Sequence, residues 1–462
     1  MNGTGGGYSI SETVRERLDR LRPFLGAVFL AAYAVSSFAP GSPATTVLLV
    51  SGIVLYAMSV PWASAFHKGL TVVAFAVLGA TVAAGRFEAE TFFGGLPAYF
   101  DVVAVLLILS AAGYPIRAAR YEAQIQGLVS AARRRGVRTN TTAGGIGHIL
   151  GAALDVGSFV LVDVVARRAA PGGRVDALTW AGRAFSFAPL WTNLNLLTAT
   201  TITLTGTSYM GFLSLTLPFV VLGLAATLFL AQREKEDPEV SDGSSVPLDR
   251  GATAVLLYPV LLVAAVAVVN VLLPGVPLTA AIAVTVAVVV VGISVLAILL
   301  TRRTSPARRL GRETRDSLAS SHPEFALFGS AGVLVLSLTQ LGALAPVGGV
   351  LSSLPAFLVP MALALTMAVG FIVGIHVIPM VLLIDTAFPL DGGSSPALWA
   401  AAILLGAQSA LLLTPFSSAV TMLSRLSGLH PLEIGPKRNW RFGLAAAVGA
   451  VLYLTVLTLL LR

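Results

Sequence analysis

Residues 186–208 read SFAPLWTNLNLLTATTITLTGTS, a stretch apolar enough for a membrane interior yet built to interrupt a helix. Pro189 removes a backbone donor and disfavours helix in the residue before it. Asn193, Asn195 and a dense series of threonines follow. A helix that only faced lipid would need none of these, because hydrocarbon gives an exposed polar group no partner. In the second half of the chain, residues 414–423 read TPFSSAVTML and repeat the order of a proline followed by hydroxyls. String against string, Pro189 pairs with Pro415, Thr192 with Ser418, Asn195 with Thr421 and Leu197 with Leu423. Two such segments predict broken or re-entrant helices whose free N–H groups and hydroxyls, with Thr414 and Ser417, face a solute. A half-helix N-terminus carries partial positive charge, so the solute is expected to be a small anion, such as a carboxylate.

The rest of the chain supplies the membrane setting. Of its 462 residues, 56% are hydrophobic and only 11% charged, too few to cover a water-facing surface; mean hydropathy is +0.86. The net charge of +8 sits in short Arg-rich tracts between apolar runs. That is the positive-inside pattern, and it calls for no nucleic acid. With no cysteine, disulfides, thiolate metal sites and Cys nucleophiles are excluded together. The arginines before residue 23 precede no cleavable leader, so 23–39 reads as a retained first span. Further apolar runs follow at 45–65, 69–84, 97–113, 146–165, 182–206, 209–231, 251–274, 276–300, 324–344, 354–370, 372–389, 397–424 and 442–461. These runs exceed strand length, and about 11 to 14 helical crossings are expected. The fold class is therefore all-α: a polytopic transmembrane bundle in the cell membrane.

Polar stretches divide it. Residues 114–145, with Arg117, Arg120, Arg133, Arg134, Arg135 and Arg138, predict a basic cytoplasmic helix and loop; 302–323, with six arginines, predicts another. Residues 232–250 mix charge with Pro, Gly and Ser like a linker, so 1–231 and 251–462 are read as two repeats. Further paired strings agree. Leu96-Pro97-Ala98-Tyr99 matches 354–357, and each is followed by a glycine, Gly113 or Gly370. Gly145-Ile146-Gly147-His148 matches the segment ending at His376, and one acid follows each histidine in an apolar run, Asp155 and Asp385. Duplicated halves mark many secondary transporters, whose site forms where the repeats meet. Seven crossings per half would invert the second repeat and part the two Arg-rich loops; a re-entrant segment in the first half, with the Pro189 stretch as the natural candidate, would put them on one side, and both topologies stay open.

Ionisable groups inside spans are costly, so His148, Asp155, His376 and Asp385 are candidates to bind Na⁺ or carry a coupling proton. Asp101 and Asp163 read as interfacial or paired, and Asn270, Gln340 and Gln408 as bridges between helices. No P-loop, HExxH or Gly-x-Ser-x-Gly appears, which disfavours an ATP-driven pump or a membrane protease. The chain is read as a non-enzyme without a resident metal or cofactor, with lipid and a small solute as partners and a homodimer as the assembly considered.

The two proline-led segments resemble the ion transporter superfamily, which includes divalent anion/sodium symporters, citrate and arsenite permeases and the large subunit of TRAP carriers. The resemblance implies two repeats, each with a re-entrant hairpin and a broken helix rich in Ser, Thr and Asn at the site. Where the divalent anion symporters carry Ser-Asn-Thr, this chain has Thr192-Asn193-Leu194 and Ser418-Ala419-Val420. The matching positions are Thr192, Asn193, Ser417 and Ser418. The reading is an ion-coupled permease for a small anionic solute. Its rivals are a cation/proton antiporter using intramembrane Asp, and a non-transporting scaffold or lipid-modifying enzyme.

Overall fold

The computed structural model describes residues 10–39, 41–115, 122–167, 171–234, 250–273, 276–301, 305–343, 345–355, 357–373 and 395–461. Among these residues there is no strand. The helices are α1 (Ile10–Phe38), α2 (Pro43–Ser59), α3 (Ala65–Ala83), α4 (Ala89–Gly95), α5 (Pro97–Ala112), α6 (Glu122–Arg134), α7 (Thr139–Leu154), α8 (Ser158–Ala166), α9 (Pro171–Phe185) and α10 (Leu196–Thr205). After them come α11 (Tyr209–Arg233), α12 (Arg250–Leu272), α13 (Leu278–Thr301), α14 (Ser305–Ser320), α15 (His322–Leu341), α16 (Ala345–Ser353), α17 (Val359–Val373), α18 (Pro396–Ala410), α19 (Ser418–Ser427) and α20 (Arg438–Leu460). Their ends follow local chemistry. Ser64, Ser208, Ser395 and Ser417 each accept a backbone N–H of the helix they open, satisfying one orphan donor. Gly206, Gly342 and Gly428 close α10, α15 and α19 in the left-handed region, where a glycine pays no Cβ penalty.

Nine helical stretches of the described residues are long and apolar enough to cross a membrane, and Leu256–Leu272, Val359–Ile372 and Pro396–Ala410 are shorter apolar helices. Val72, Leu222, Leu261, Leu299 and Leu452 are all exposed, as a lipid-facing surface requires. The chain is an all-α polytopic membrane protein. Several expected boundaries move. The run at 182–206 is two helices with a break, as is 397–424. Residues 139–145 of the expected basic insert belong to α7. The expected span at 372–389 falls almost wholly outside the described residues.

Helix contacts divide the chain into two compact units, one of residues 1–111 with 290–343 and the other of 112–289 with 344–462. Each draws on both sides of the 232–250 stretch, so compact units and sequence halves are different divisions. In the first unit α15 packs on α2 and α3, and α1 packs on α2. Phe29 meets Phe100 and Phe325 edge-on, and the Ser330 hydroxyl joins Tyr56 (3.0 Å) to Thr71 (2.8 Å). Gly329 leaves room for the Tyr56 ring, which would lie 2.5 Å from any β-carbon there.

The second unit holds a structural duplication. α9 and α18 are both fifteen-residue helices, and their first residues, Pro171 and Pro396, lie 225 positions apart. A break follows each, then a ten-residue helix, α10 or α19, closed by a left-handed glycine. α7 packs along α9, and α17 along α18. Both pairs are close enough to need a glycine at the crossing. Gly147 of α7 faces Ala181 of α9, whereas Gly406 of α18, 225 positions after Ala181, faces Ala364 of α17. The small residue has changed sides while the crossing is kept.

Candidate functional site

Within the second unit, the first break spans residues 186–195. Pro189 lies in a single 3₁₀ turn, Ala188–Leu190, and α10 starts at Leu196 with Asn195 as its cap, Oδ1 accepting from Leu197 N–H at 3.0 Å. A break inside a buried segment frees carbonyls, and each needs a donor. Thr198 Oγ1 donates to the Pro189 carbonyl (2.5 Å), Thr216 Oγ1 to Leu190 (2.6 Å) and the Tyr209 hydroxyl to Trp191 (2.5 Å). Thr192, wholly buried, donates to the Ala152 carbonyl (2.7 Å) and accepts from Leu194 N–H (3.1 Å). The Thr192 hydroxyl expected to face a solute is thus engaged in holding the break open.

The second break, 411–417, is built to the same plan. Thr414 accepts from Phe416 N–H (3.2 Å), as Thr192 does from Leu194, and Ser417 caps α19 as Asn195 caps α10, accepting from Val420 N–H at 3.1 Å. These matched devices pair Thr192 with Thr414, Asn195 with Ser417 and Gly206 with Gly428. These pairs lie 222 positions apart, where the strings pair Pro189 with Pro415 and Asn195 with Thr421 at 226; the first break is three residues longer than the second, which takes the 225 between α9 and α18 to the 222 between α10 and α19. Thr414 and Ser417 are buried, Pro415 and Thr421 half-buried, and Ser418 exposed; Phe416 beside Pro415 is 69% exposed.

The two interrupted helices hold each other reciprocally. α10 packs on α18, and α19 packs on α9. At the second contact, Leu423 Cδ1 comes within 2.8 Å of where a β-carbon of Gly182 would be.

A third interruption is Asp155. α7 ends at Leu154, a 3₁₀ turn covers Asp155–Gly157, and α8 begins at Ser158 and packs back on α7. Phe185 touches both arms, lying against Gly151 and meeting Phe159 edge-on with ring centroids 4.9 Å apart. At 1.5 Å per residue the arms are about 24 Å and 14 Å long, each short of a bilayer's ~30 Å. Although 139–166 has the length of one span, it is a hairpin, and the re-entrant character expected of the Pro189 stretch belongs here. Asp155 has φ +50° and ψ −139°, the only non-glycine residue of the described set with positive φ. Strain of that kind costs roughly 1–3 kcal/mol and persists only where the surroundings fix it. Asp155 is an exposed residue whose Oδ1 accepts from Asn195 Nδ2 at 3.5 Å, and α19 packs against the same turn. Hairpin tip, first break and second broken helix meet at Asp155.

His148 has another role. Trp191 Nε1–H donates to its Nε2 at 3.0 Å, and an indole nitrogen cannot accept. The ring proton therefore sits on Nδ1, which donates to the Ala184 carbonyl at 2.9 Å. Both nitrogens are committed, so His148 clamps the hairpin to the break in this structure. Asp163 is wholly buried between Arg167 (2.8 Å) and Arg174 (2.7 Å), the paired structural role expected of it. His376 and Asp385 lie outside the described residues.

Among the buried oxygens without a partner, four lie on or beside the interrupted helices: Asn193 Oδ1, Thr200 Oγ1, Thr203 Oγ1 and Gln408 Oε1. Asn193 gives its amide to the Val263 carbonyl at 3.3 Å, and Thr200 and Thr203 ride on α10, which packs on the helix carrying Gln408. Buried acceptors without donors are rare in folded chains and mark places where a ligand, ion or water completes the bonding. Sequence reading took Thr200 and Thr203 only as members of the threonine series and gave Gln408 a helix-bridging role. The usable signal was that amides and hydroxyls recur on both interrupted helices.

The fold resembles that of the Alcanivorax borkumensis YdaH transporter, whose crystal structure is described as revealing an unusual topology. The TM-score is 0.55 at 15% identity, over 85% of this chain and 98% of that one. At that identity the likeness is one of fold alone. No protein-family model matches the sequence, and no curated protein does.

Proposed function

We propose that this chain is a secondary transporter in a cell membrane, whose cargo and coupling ion occupy the second unit where the two interrupted helices embrace. The observation that carries the reading is the meeting of three interruptions at an exposed, strained Asp155, beside Asn195 and near unpartnered buried oxygens. A packed scaffold has no use for an intramembrane aspartate exposed at a hairpin tip, since such a group costs several kcal/mol unless it meets water or a cation. Asp155 supplies the negative charge for Na⁺ or a proton. Asn193, Thr200 and Gln408 supply neutral oxygens for ion or cargo, and Phe416, Pro415 and Ser418 form the accessible edge. The order of devices in each repeat supports kinship with the ion transporter superfamily, and with it a small anionic cargo.

Uptake of labelled citrate and succinate into proteoliposomes under an imposed Na⁺ or pH gradient tests the function. Accumulation above the external concentration, abolished by an ionophore, is the expected result. No gradient-driven accumulation of either acid, in protein shown to be folded, would sink the carboxylate reading.

A further inference from the structure

The first unit carries a surface that the transport reading does not use. α14 joins the ends of two membrane helices, α13 and α15, and is too polar to cross a bilayer, with Arg308, Arg309, Arg312, Glu313, Arg315 and Asp316 in its sixteen residues. It lies where Thr301 ends one span and His322 begins the next, at the level of the membrane surface. One edge is pinned. Leu318 is 5% exposed and seats on Gly26 of α1, its Cδ2 2.9 Å from where a β-carbon would stand. Ser317 Oγ lies 2.8 Å from Ser110 Oγ. The helix therefore cannot roll.

Another edge is left outward. Arg308, Arg312 and Arg315 follow at spacings of four and three, which puts them on one face, and all three are exposed. Arg309 is held by Glu313 at 3.3 Å, whereas Arg308, Arg312 and Arg315 make no ion pair among the described residues. Exposed Arg20 opens the apolar stretch of α1, six residues before Gly26, so about 9 Å along that helix from the Leu318 seat. The Arg308, Arg312 and Arg315 guanidinium groups, set at headgroup height and in no ion pair among the described residues, match the negative charge of phosphodiesters.

We propose that this arginine edge is a binding surface for anionic phospholipid headgroups, which tether α14 and the ends of α13 and α15 to the membrane surface. A basic side chain at an anionic surface gains about fivefold in affinity, so three together give on the order of a hundredfold preference.

Native mass spectrometry of the delipidated full chain, after adding back phosphatidylglycerol or phosphatidylcholine, reads this directly. The wild type is expected to retain phosphatidylglycerol in strong preference. Combining Arg308→Gln, Arg312→Gln and Arg315→Gln should remove most of that preference, while the corresponding Lys variants keep it and show that the fold is intact. Excess inorganic phosphate should leave the lipid bound. A wild type that takes both lipids equally, a Gln variant with undiminished preference, or displacement by phosphate alone overturns the proposal.

Discussion

Gly406→Ala is expected to be the most damaging single methyl addition in the second unit. A β-carbon at that position would lie 2.0 Å from the Ala364 carbonyl oxygen and 2.7 Å from both its carbon and its Cα. These are backbone atoms of α17, with no rotamer by which to withdraw, so the two helices must separate along their whole contact. Overpacking a core usually costs about 1–3 kcal/mol, with relief by side-chain movement. Here no relief exists, and the cost should exceed that range, a large share of the ~5–15 kcal/mol that holds a typical domain. Gly145→Ala is the matched control: it lies in α7 of the same unit, and nothing comes within 4 Å of its added carbon. Thermal unfolding in detergent should show Gly406→Ala melting far below wild type, or failing to yield folded protein, with Gly145→Ala near or slightly above it. Equal behaviour of the two variants would refute the close crossing of α17 and α18.

Asp155→Asn is expected to leave the fold in place and to remove half or more of the stabilisation by the coupling cation. The substitution keeps the side-chain shape and leaves an oxygen for the Asn195 amide to donate to. Asparagine also tolerates positive φ better than most residues, so the turn should survive. What goes is the charge. A contact made to a charged group is worth about 1.5–3 kcal/mol, so cation affinity should fall by roughly ten- to a hundred-fold. Saturating Na⁺, exchanged against choline, raises the unfolding free energy of a binding protein by about 2.7 kcal/mol at a hundred times its dissociation constant. The wild type should gain this shift, and the variant should keep only about 0.4–1.4 kcal/mol of it. A shift in wild type that follows pH and not Na⁺ would assign the proton instead, and an undiminished Na⁺ shift in Asp155→Asn would remove Asp155 from the ion's path.

The helical membrane fold was legible because hydrophobic length is a property of sequence alone. So were the two breaks, since Pro189 and Pro415 announce lost backbone bonding wherever they stand. The turn at Asp155 was not, because Leu154, Val156 and the residues around them are as apolar as a continuous helix, and hydropathy does not register one residue with positive φ. The register between the repeats also escaped. Pro-then-hydroxyl strings align by likeness, whereas the structure aligns by task, matching one helix cap with the other across breaks of unequal length. Of the hydroxyls expected to face cargo, those of Thr192 and Thr198 turn out to donate to the Ala152 and Pro189 carbonyls, and those of Thr414 and Ser417 to accept backbone N–H groups. Which oxygens are left over depends on every other donor nearby, and that balance exists only in three dimensions.

The reading rests on the interrupted helix of one repeat lying against that of the other inside the membrane, and a disulfide reports this directly. The chain has no cysteine, so Gly182→Cys with Leu423→Cys introduces the only two thiols, at a contact where the Leu423 side chain reaches within 2.8 Å of the β-carbon position of residue 182. Mild oxidation in native membranes should close an intramolecular bond in most molecules and arrest gradient-driven uptake, with reduction restoring it. Two thiols that stay free and separately alkylated under the same oxidation would contradict the embrace of the two helices, and with it the site.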